Sequence, residues 1–439
     1  MGTPSKIEYP TQEDTQTRPQ NRHRSQPLNS VTALRTTEHA IDYAQLDHDA
    51  LDVIQQLNAH GFTALLVGGC IRDALCGMQP KDFDVATDAP LDEVKRIFRR
   101  SRIVGRRFPI AHVRYGRNLI EVSTFRQSIS ENIEHDAQGM ILRDKAYGTL
   151  QEDAFRRDFS INALYFDPNN NEIIDYVGGL EDLAAGEVKL IGDPAVRLAE
   201  DPVRILRAVR FANKLGFSLD PRIIELFEDS ARRLTAIPPA RLFDEFLKMF
   251  LTGYGENIWQ HIRHTGIARV LFPTCNPNSH LISAAMRNTD ERIKNGLSVT
   301  PGFLVAVLLW EDFRARSAEQ RLNDEDPAFA TLRNQQQTIA IPRRFGSFAK
   351  DTWMTQDRLI KRNPRTISRL IQHKRFRAGF DFLCLRAKTE TDLAESAQWW
   401  TTFQEQDEAT QQSMIAALPK PQRKRRRRSK RRSPEQADS

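Results

Sequence analysis

Residues 65–84 read LLVGGCIRDALCGMQPKDFD, and the rest of the chain is organised around them. The apolar run Leu65, Leu66, Val67 predicts a buried strand. It stops at Gly68-Gly69, where the backbone turns without a Cβ clash and can lie close to a ligand. Ile71 to Cys76 predicts a short helix carrying Arg72 and Asp73, closed by Gly77 and Pro80. Lys81 to Val85 then opens a second strand. Side chains alternate along a strand, so Asp82 and Asp84 are expected on the same side. Two neighbouring carboxylates repel unless a cation lies between them, and Mg2+ suits one or two carboxylates completed by substrate phosphates. A lone Asp-x-Asp is usually a solvated turn. Beside a glycine turn and a fixed Arg-Asp pair it describes a nucleotide-and-metal site.

The combination resembles the GG-x-x-RD…D-x-D signature of the nucleotidyltransferase superfamily that holds tRNA CCA-adding enzymes and bacterial poly(A) polymerases. The resemblance implies that Asp82 and Asp84 are catalytic and hold two Mg2+ ions. It further implies that Gly68, Gly69, Arg72 and Asp73 bind the nucleotide, with the glycine N–H groups and Arg72 facing its triphosphate. Arg156-Arg157-Asp158 is similar to the family's RRD motif. Its arginines suit phosphate and ribose hydroxyls, and Asp158 would be the third catalytic carboxylate. Glu121, on a strand expected near Asp82 and Asp84, is the rival for that place.

Glu200 to Arg207 (EDPVRILR) is similar to the family's E-D-x-x-R motif, which implies that Asp201, Arg204 and Arg207 read the incoming base. Arg204 and Arg207 are three apart and share a helical face. Asp201 reads as an N-cap with Pro202 at the first helical position. Asp175 to Gly179 resembles the hinge between head and neck. Ile103 to Val113, with paired arginines before Phe108, looks like the bacterial poly(A) polymerase signature; CCA-adding relatives tend to carry a Gly-Thr pair after that Phe. Ile237 to Phe243 also belongs to the resemblance.

Composition bounds the remainder. The chain has 439 residues, 40% hydrophobic and 28% charged, enough for several domains with ample core. Cys70, Cys76, Cys275 and Cys384 form no zinc or disulfide pattern, which fits a reducing compartment. The apolar run Gly302 to Trp310 is too short to span a membrane and reads as a core helix. The start is polar with no apolar signal-peptide segment, so nothing argues for export and a cytoplasmic protein is expected. The net charge of +7 belongs to one segment: Arg423, Lys424, Arg425, Arg426, Arg427, Arg428, Lys430, Arg431 and Arg432 leave the remainder at −2 when removed. Such a block is expected to be disordered, and it reads either as a solubilising end or, beside a nucleotidyltransferase motif, as an electrostatic handle for RNA phosphates.

These readings predict an α/β nucleotidyltransferase head, a small mixed sheet with helices, followed by an all-α body. The expected divisions are a disordered segment over 1–38, the head over 39–178 and a helical neck over 179–270. A helical RNA-binding body over 271–417 and a disordered basic tail over 418–439 complete them. Ser128 to Lys145 is expected to be a mobile loop over the site. The activity implied by the resemblance is template-independent transfer of AMP from ATP to RNA 3′ ends, with pyrophosphate released. A tRNA CCA-adding enzyme and a non-enzymatic RNA-binding adaptor are the alternatives. Protein partners are not specified by the sequence.

Overall fold

The computed structural model describes residues 31–105, 109–127, 134–135, 141–143, 147–319 and 325–419. The chain forms two compact units, Met1–Pro273 with Gln335–Ala340, and Thr274–Asn334 with Ile341–Ser439. The first begins with an edge strand β1 (Leu34–Thr36) and helix α1 (His48–Ala59). Then follow β2 (Ala64–Val67), α2 (Gly69–Leu75), β3 (Asp84–Thr87), α3 (Leu91–Ile97), β4 (Ser101–Val104), β5 (Ile110–Tyr115) and β6 (Asn118–Thr124). A separate pair, β7 (Glu134–His135) and β8 (Ile141–Arg143), precedes α4 (Leu150–Arg156), β9 (Leu164–Asp167) and β10 (Glu172–Asp175).

Eight strands form one mixed sheet in the order β1-β10-β9-β2-β3-β6-β5-β4. Every neighbouring pair is antiparallel except β3 with β6, which run parallel. Strand alternation divides β2 between two cores. Leu66 joins Val85, Val122, Val53, Ile54 and Leu57 in the cluster under α1, whereas Leu65 and Val67 join Ala86, Tyr165 and Ala154 on the opposite face. Asp84 shares that second face, two residues before Ala86 on β3.

Helices take over after the head: α5 (Gly179–Ala185), α6 (Pro194–Glu200), α7 (Arg204–Leu215), α8 (Pro221–Glu225), α9 (Phe227–Arg233), α10 (Pro239–Phe250), α11 (Gly255–His264) and α12 (Ile267–Leu271). A two-residue strand β11 (Glu187–Val188) pairs with β12 (Ser218–Leu219) among them. Helix α10 buries Leu242, Phe246, Met249 and Phe250 along one stripe, with Phe243 buried beside them. The second unit is helical throughout its described residues. Its core gathers Leu359, Leu370, Phe376, Phe380, Leu383, Trp400 and Phe403. The apolar run from Gly302 does form a buried helix, Pro301–Leu308. No helix among the described residues is long and apolar enough to cross a membrane.

Several local expectations are corrected. Residues 34–36 belong to the sheet: β1 pairs with β10, and Arg35 Nη1 meets Glu172 at 2.6 Å. Hence the N-terminal segment expected to be disordered over 1–38 includes an ordered edge strand; residues 1–30 lie outside the described residues. Strand β3 starts at Asp84, so Asp82 stands before the strand and its direction is not set by strand alternation. Helix α2 starts at Gly69 rather than Ile71. Most of the loop expected over 128–145 lies outside the described residues, apart from the β7–β8 pair. The basic block 423–432 of the tail lies wholly outside them.

At the Gly178-Gly179 joint, Gly179 is closely packed. Asp175 accepts the N–H groups of Val177, Gly178 and Leu180 at 2.9, 3.0 and 2.9 Å. A Cβ on Gly179 would stand 2.3 Å from the Ser160 carbonyl oxygen. Glycine is required here for close approach.

Candidate active site

The site grows from the register of the sheet. Asp84 faces Val67 on β2 and Glu121 on β6, and Glu121 in turn faces His112 on β5. Directly paired residues project to the same face, so Asp84 and Glu121 stand side by side. His112 Nε2 lies 3.4 Å from Glu121 Oε1. Burial pushes the Asp84 carboxyl up, the negative charge of Glu121 and then of Asp82 adds to it, and Arg157 opposes; the result is about 6. A buried carboxyl pushed up by negative neighbours is a setting in which a cation is favourable. Among the described residues no group of three His, Cys, Asp or Glu converges tightly enough to enclose a metal by itself. That is compatible with Mg2+, which completes its shell with water and substrate phosphates.

Asp158 lies elsewhere in the network. Its Oδ2 accepts from Arg207 Nε and Nη2 at 2.6 and 2.5 Å, and its Oδ1 accepts the Phe159 N–H at 2.9 Å. Burial alone would raise this carboxyl, but Arg207 and these hydrogen bonds hold it down to about 2. Glu121 is therefore the carboxylate paired directly with Asp84 across the sheet.

Above the carboxylates the glycine turn has a divided role. Gly68 adopts φ 81°, a left-handed conformation that suits glycine. Its N–H donates to the Leu164 carbonyl at 3.1 Å and is not free for a phosphate. Gly69 opens α2. A Cβ on Gly68 would be 3.6 Å from Arg157 Nη1, so Arg157 lies directly against the turn. Arg157 is held from behind: Nε and Nη2 donate to Asp153 Oδ2 at 3.1 and 2.9 Å, and Nε also reaches the Tyr165 hydroxyl at 3.0 Å. Tyr165 donates to Asp153 at 2.7 Å, and Arg156 Nε reaches Asp153 Oδ1 at 2.8 Å. Burial opposes ionisation of Asp153, yet these arginines and the hydroxyl bring its carboxyl down to about 2. Asp153 and Tyr165 carry no sequence motif that singles them out; only the fold reveals that they orient Arg157.

Arg72 and Asp73 tie α2 to α7. Arg72 is 3% exposed; it donates to Asp73 Oδ1 from Nε at 2.9 Å and to Asn162 from Nη1 at 2.5 Å. Its guanidinium sits 4.8 Å above the Phe211 ring. Lys214 Nζ reaches Asp73 Oδ2 at 2.7 Å. The donors of Arg72 thus face protein partners, Asp73 and Asn162.

Helix α7 carries one arginine or lysine per turn on this side. Arg204, Arg207, Arg210 and Lys214 meet Glu200, Asp158, Glu245 and Asp73 respectively. Arg204 Nη1 also donates to the Arg197 carbonyl at 2.5 Å. Asp201 ends α6 as its C-cap instead of opening α7, which starts two residues beyond Pro202. Its Oδ1 accepts the Val203 N–H at 3.2 Å, and its Oδ2 accepts Arg241 Nη2 at 2.6 Å. Arg197 Nη2 donates to the carbonyls of Arg156 and Arg157 at 2.7 and 2.6 Å, closing the end of α4. Arg197 was not singled out by the sequence, and Arg241 only as part of a longer motif. Both act across long separations.

Residues 64–189 match the family model of the Poly A polymerase head domain. Residues 216–278 match that of the probable RNA and SrmB-binding site of polymerase A, and residues 325–433 that of the polymerase A arginine-rich C-terminus. Poly(A) polymerase I of Salmonella typhimurium is 40% identical over 415 residues, covering 88% of this chain and 89% of that protein. The Haemophilus influenzae protein of the same name is also 40% identical, over 84% of this chain and 87% of its own. A CCA-adding enzyme of Bacillus pumilus is 36% identical over 47% of this chain and 50% of its own. Among solved structures, the Bacillus stearothermophilus CCA-adding enzyme in complex with CTP superposes with a TM-score of 0.57 at 24% identity, covering 80% of each chain. That likeness concerns the fold.

Proposed function

The chain belongs to the bacterial poly(A) polymerase family and is a nucleotidyltransferase, and from this premise we propose how its residues divide the work of adding AMP from ATP to an RNA 3′ end. The observation that carries the proposal is the pairing of Asp84 with Glu121 beneath the Gly68 turn and Arg157. Asp82, Asp84 and Glu121 would hold divalent cations, Mg2+ by the hardness of the oxygen donors. Bound there, such ions would supply charge stabilisation for both the attacking 3′-oxygen and the departing pyrophosphate. Arg157, oriented by Asp153 and Tyr165, is suited to a phosphate oxygen through its Nη1. The Gly69 N–H and Arg156 are further candidates for the triphosphate. Asp201 and Arg204 are the groups suited to the base edge. Arg207, Arg72, Asp73 and Asp158 brace head against neck, in keeping with their ion pairs.

In this reading residues 39–178 are the catalytic head, 179–270 the neck that meets the nucleotide, and 271–417 the RNA-holding body. Arg423 to Arg432 would hold RNA by charge alone. The free thiols of Cys70, Cys76, Cys275 and Cys384 favour a cytoplasmic setting.

The test is purified protein with a short oligoribonucleotide, Mg2+ and each nucleoside triphosphate separately. Continued growth with ATP and little addition with CTP is the expected result. Growth that uses CTP and stops after three additions on tRNA would favour the CCA-adding reading, to which the head's relatives also belong.

A further inference from the structure

We propose that the open face of strands β4, β5 and β6, with the basic cleft at its end, seats the RNA primer. Arg100 and Arg114 hold phosphates just upstream of the 3′ end, and Leu119 supports the terminal nucleotide. The inference rests on the reading of Asp84 and Glu121 as the reaction centre.

Sheet register lines the residues up. Arg102 faces His112, His112 faces Glu121, and Glu121 faces Asp84, so one row crosses four strands on the active-site face. Arg114 pairs with Leu119, each two residues along its strand from that row and therefore on the same face. The opposite face is closed, with Val113, Ile120 and Val122 buried in the core that α1 covers. On the active-site face Arg102 and Arg114 are exposed, and Leu119 is 40% exposed between the basic strands and Glu121. The Arg114 N–H donates to the Arg100 carbonyl at 3.2 Å, which brings Arg100 alongside. There the face meets a cleft of about 620 Å³ whose walls include Phe98, Arg99, Arg100, Arg114 and Tyr115.

Charge and reaction geometry together assign the occupant. Among the described residues Arg99, Arg100, Arg102 and Arg114 enter no ion pair, whereas Arg156, Arg157 and Arg207 are each matched by a carboxylate. Asp49, the one acid lining the cleft, is already engaged by Asn118 Nδ2 at 2.9 Å. Exposed guanidinium groups without carboxylate partners attract phosphates. An exposed leucine among them suits a ribose or a base rather than a pyrophosphate. In-line displacement puts the attacking and leaving oxygens on opposite sides of the phosphorus. Gly68 and Arg157, suited to the triphosphate, stand on the β2 side of Asp84, and Glu121 stands on the β6 side, in the sheet order β2-β3-β6-β5-β4. A 3′-hydroxyl that arrives opposite the departing pyrophosphate therefore comes over Glu121. The strand behind it continues past Leu119 across β5 and β4, onto the arginines.

The experiment uses the full chain with a decanucleotide oligoadenylate primer and reads KM for primer and KM for ATP separately. The double variant Arg100→Gln/Arg114→Gln is expected to raise KM for primer on the order of tenfold while KM for ATP stays close to the parent's. Its RNA binding should also lose about 0.7 of salt slope for each phosphate no longer neutralised. Arg96→Gln, which removes an exposed charge paired with Glu93 outside the cleft, is the control. In the parent chain, thiouridine placed next to the primer's 3′ end should crosslink on irradiation within Phe98 to Leu119. A KM for primer no higher than that of Arg96→Gln, a rise in KM for ATP alone, or crosslinking confined to other segments overturns the proposal. If the parent nevertheless adds AMP, the reaction centre stands and only this face is lost. If the parent adds no AMP yet crosslinks within Phe98 to Leu119, RNA is held there and the polymerase reading is what fails.

Discussion

Asp84 and Glu121 are direct partners on the only parallel strand pair of the eight-stranded sheet, β3 with β6. A parallel pairing brings together residues joined by a long connection. Here that connection carries α3, β4 and β5 and returns a carboxylate to the side of Asp84. Asp158, the carboxylate that the RRD motif suggests, is instead committed to Arg207.

This arrangement ranks the acidic residues. Asp84→Ala and Asp82→Ala should each lower nucleotide addition by at least about a hundredfold, since loss of one transition-state stabiliser commonly costs ~3 kcal/mol. Glu121→Ala should follow them, and higher Mg2+ should recover part of its activity. Asp158→Ala should show no such Mg2+ rescue and should lower thermal stability. Single-turnover rates across a Mg2+ titration distinguish the two patterns; rescue of Asp158→Ala but not Glu121→Ala would reverse the assignment.

The Asp158–Arg207 pair also predicts a pH dependence of stability. The folded carboxyl lies at about 2, below the ordinary value of 3.8, so the pair stabilises the fold above the unfolded value. That contribution is lost as pH falls from about 4 towards 2. Relative to the parent, Asp158→Asn should cost about 2 kcal/mol near neutrality. The gap should narrow below pH 4. Urea unfolding at pH 7 and pH 3 measures it, and a gap independent of pH would mean that the pair adds little.

The joint after β10 should tolerate change unevenly. Gly179→Ala places a Cβ 2.3 Å from the Ser160 carbonyl oxygen, a backbone atom that cannot turn aside. It should destabilise by roughly 3 kcal/mol or more, as forced overpacking does. Gly178→Ala meets no atom within 4 Å and carries only the strain of φ 79°, about 1–2 kcal/mol. Thermal melting of the two variants should reveal that order. Equal losses would indicate that the loop yields.

The basic block should govern the salt dependence of RNA binding. Ending the chain at Lys420 removes these nine charges together with Glu435 and Asp438 and leaves it neutral, so it should bind RNA more weakly and with a flatter salt dependence. On single strands each neutralised phosphate contributes a slope of about −0.7 to log affinity against log salt. Filter binding of both chains between low and moderate salt measures the difference. Superimposable slopes would assign RNA binding to the helical segments alone.

Local features were legible in the residue pattern: an apolar run that becomes the fully buried β2, a glycine turn entering α2, and the apolar stripe of α10. These depend on residues within a few positions of one another, where period and turn chemistry operate. The basic character of the tail is likewise a matter of composition. Which side chains meet was decided only by the tertiary structure. Sheet register set Glu121 rather than Asp158 beside Asp84, and it placed Tyr165 where Val67 brings it to the same face. Helix packing joined Arg241 to Asp201 across 40 residues, Arg207 to Asp158 across 49 and Lys214 to Asp73 across 141. Arginine is equally at home in solvent and in an ion pair, so its local sequence carries no mark of its partner. Only closure of the fold supplies the buried carboxylate that makes one pairing more favourable than hydration.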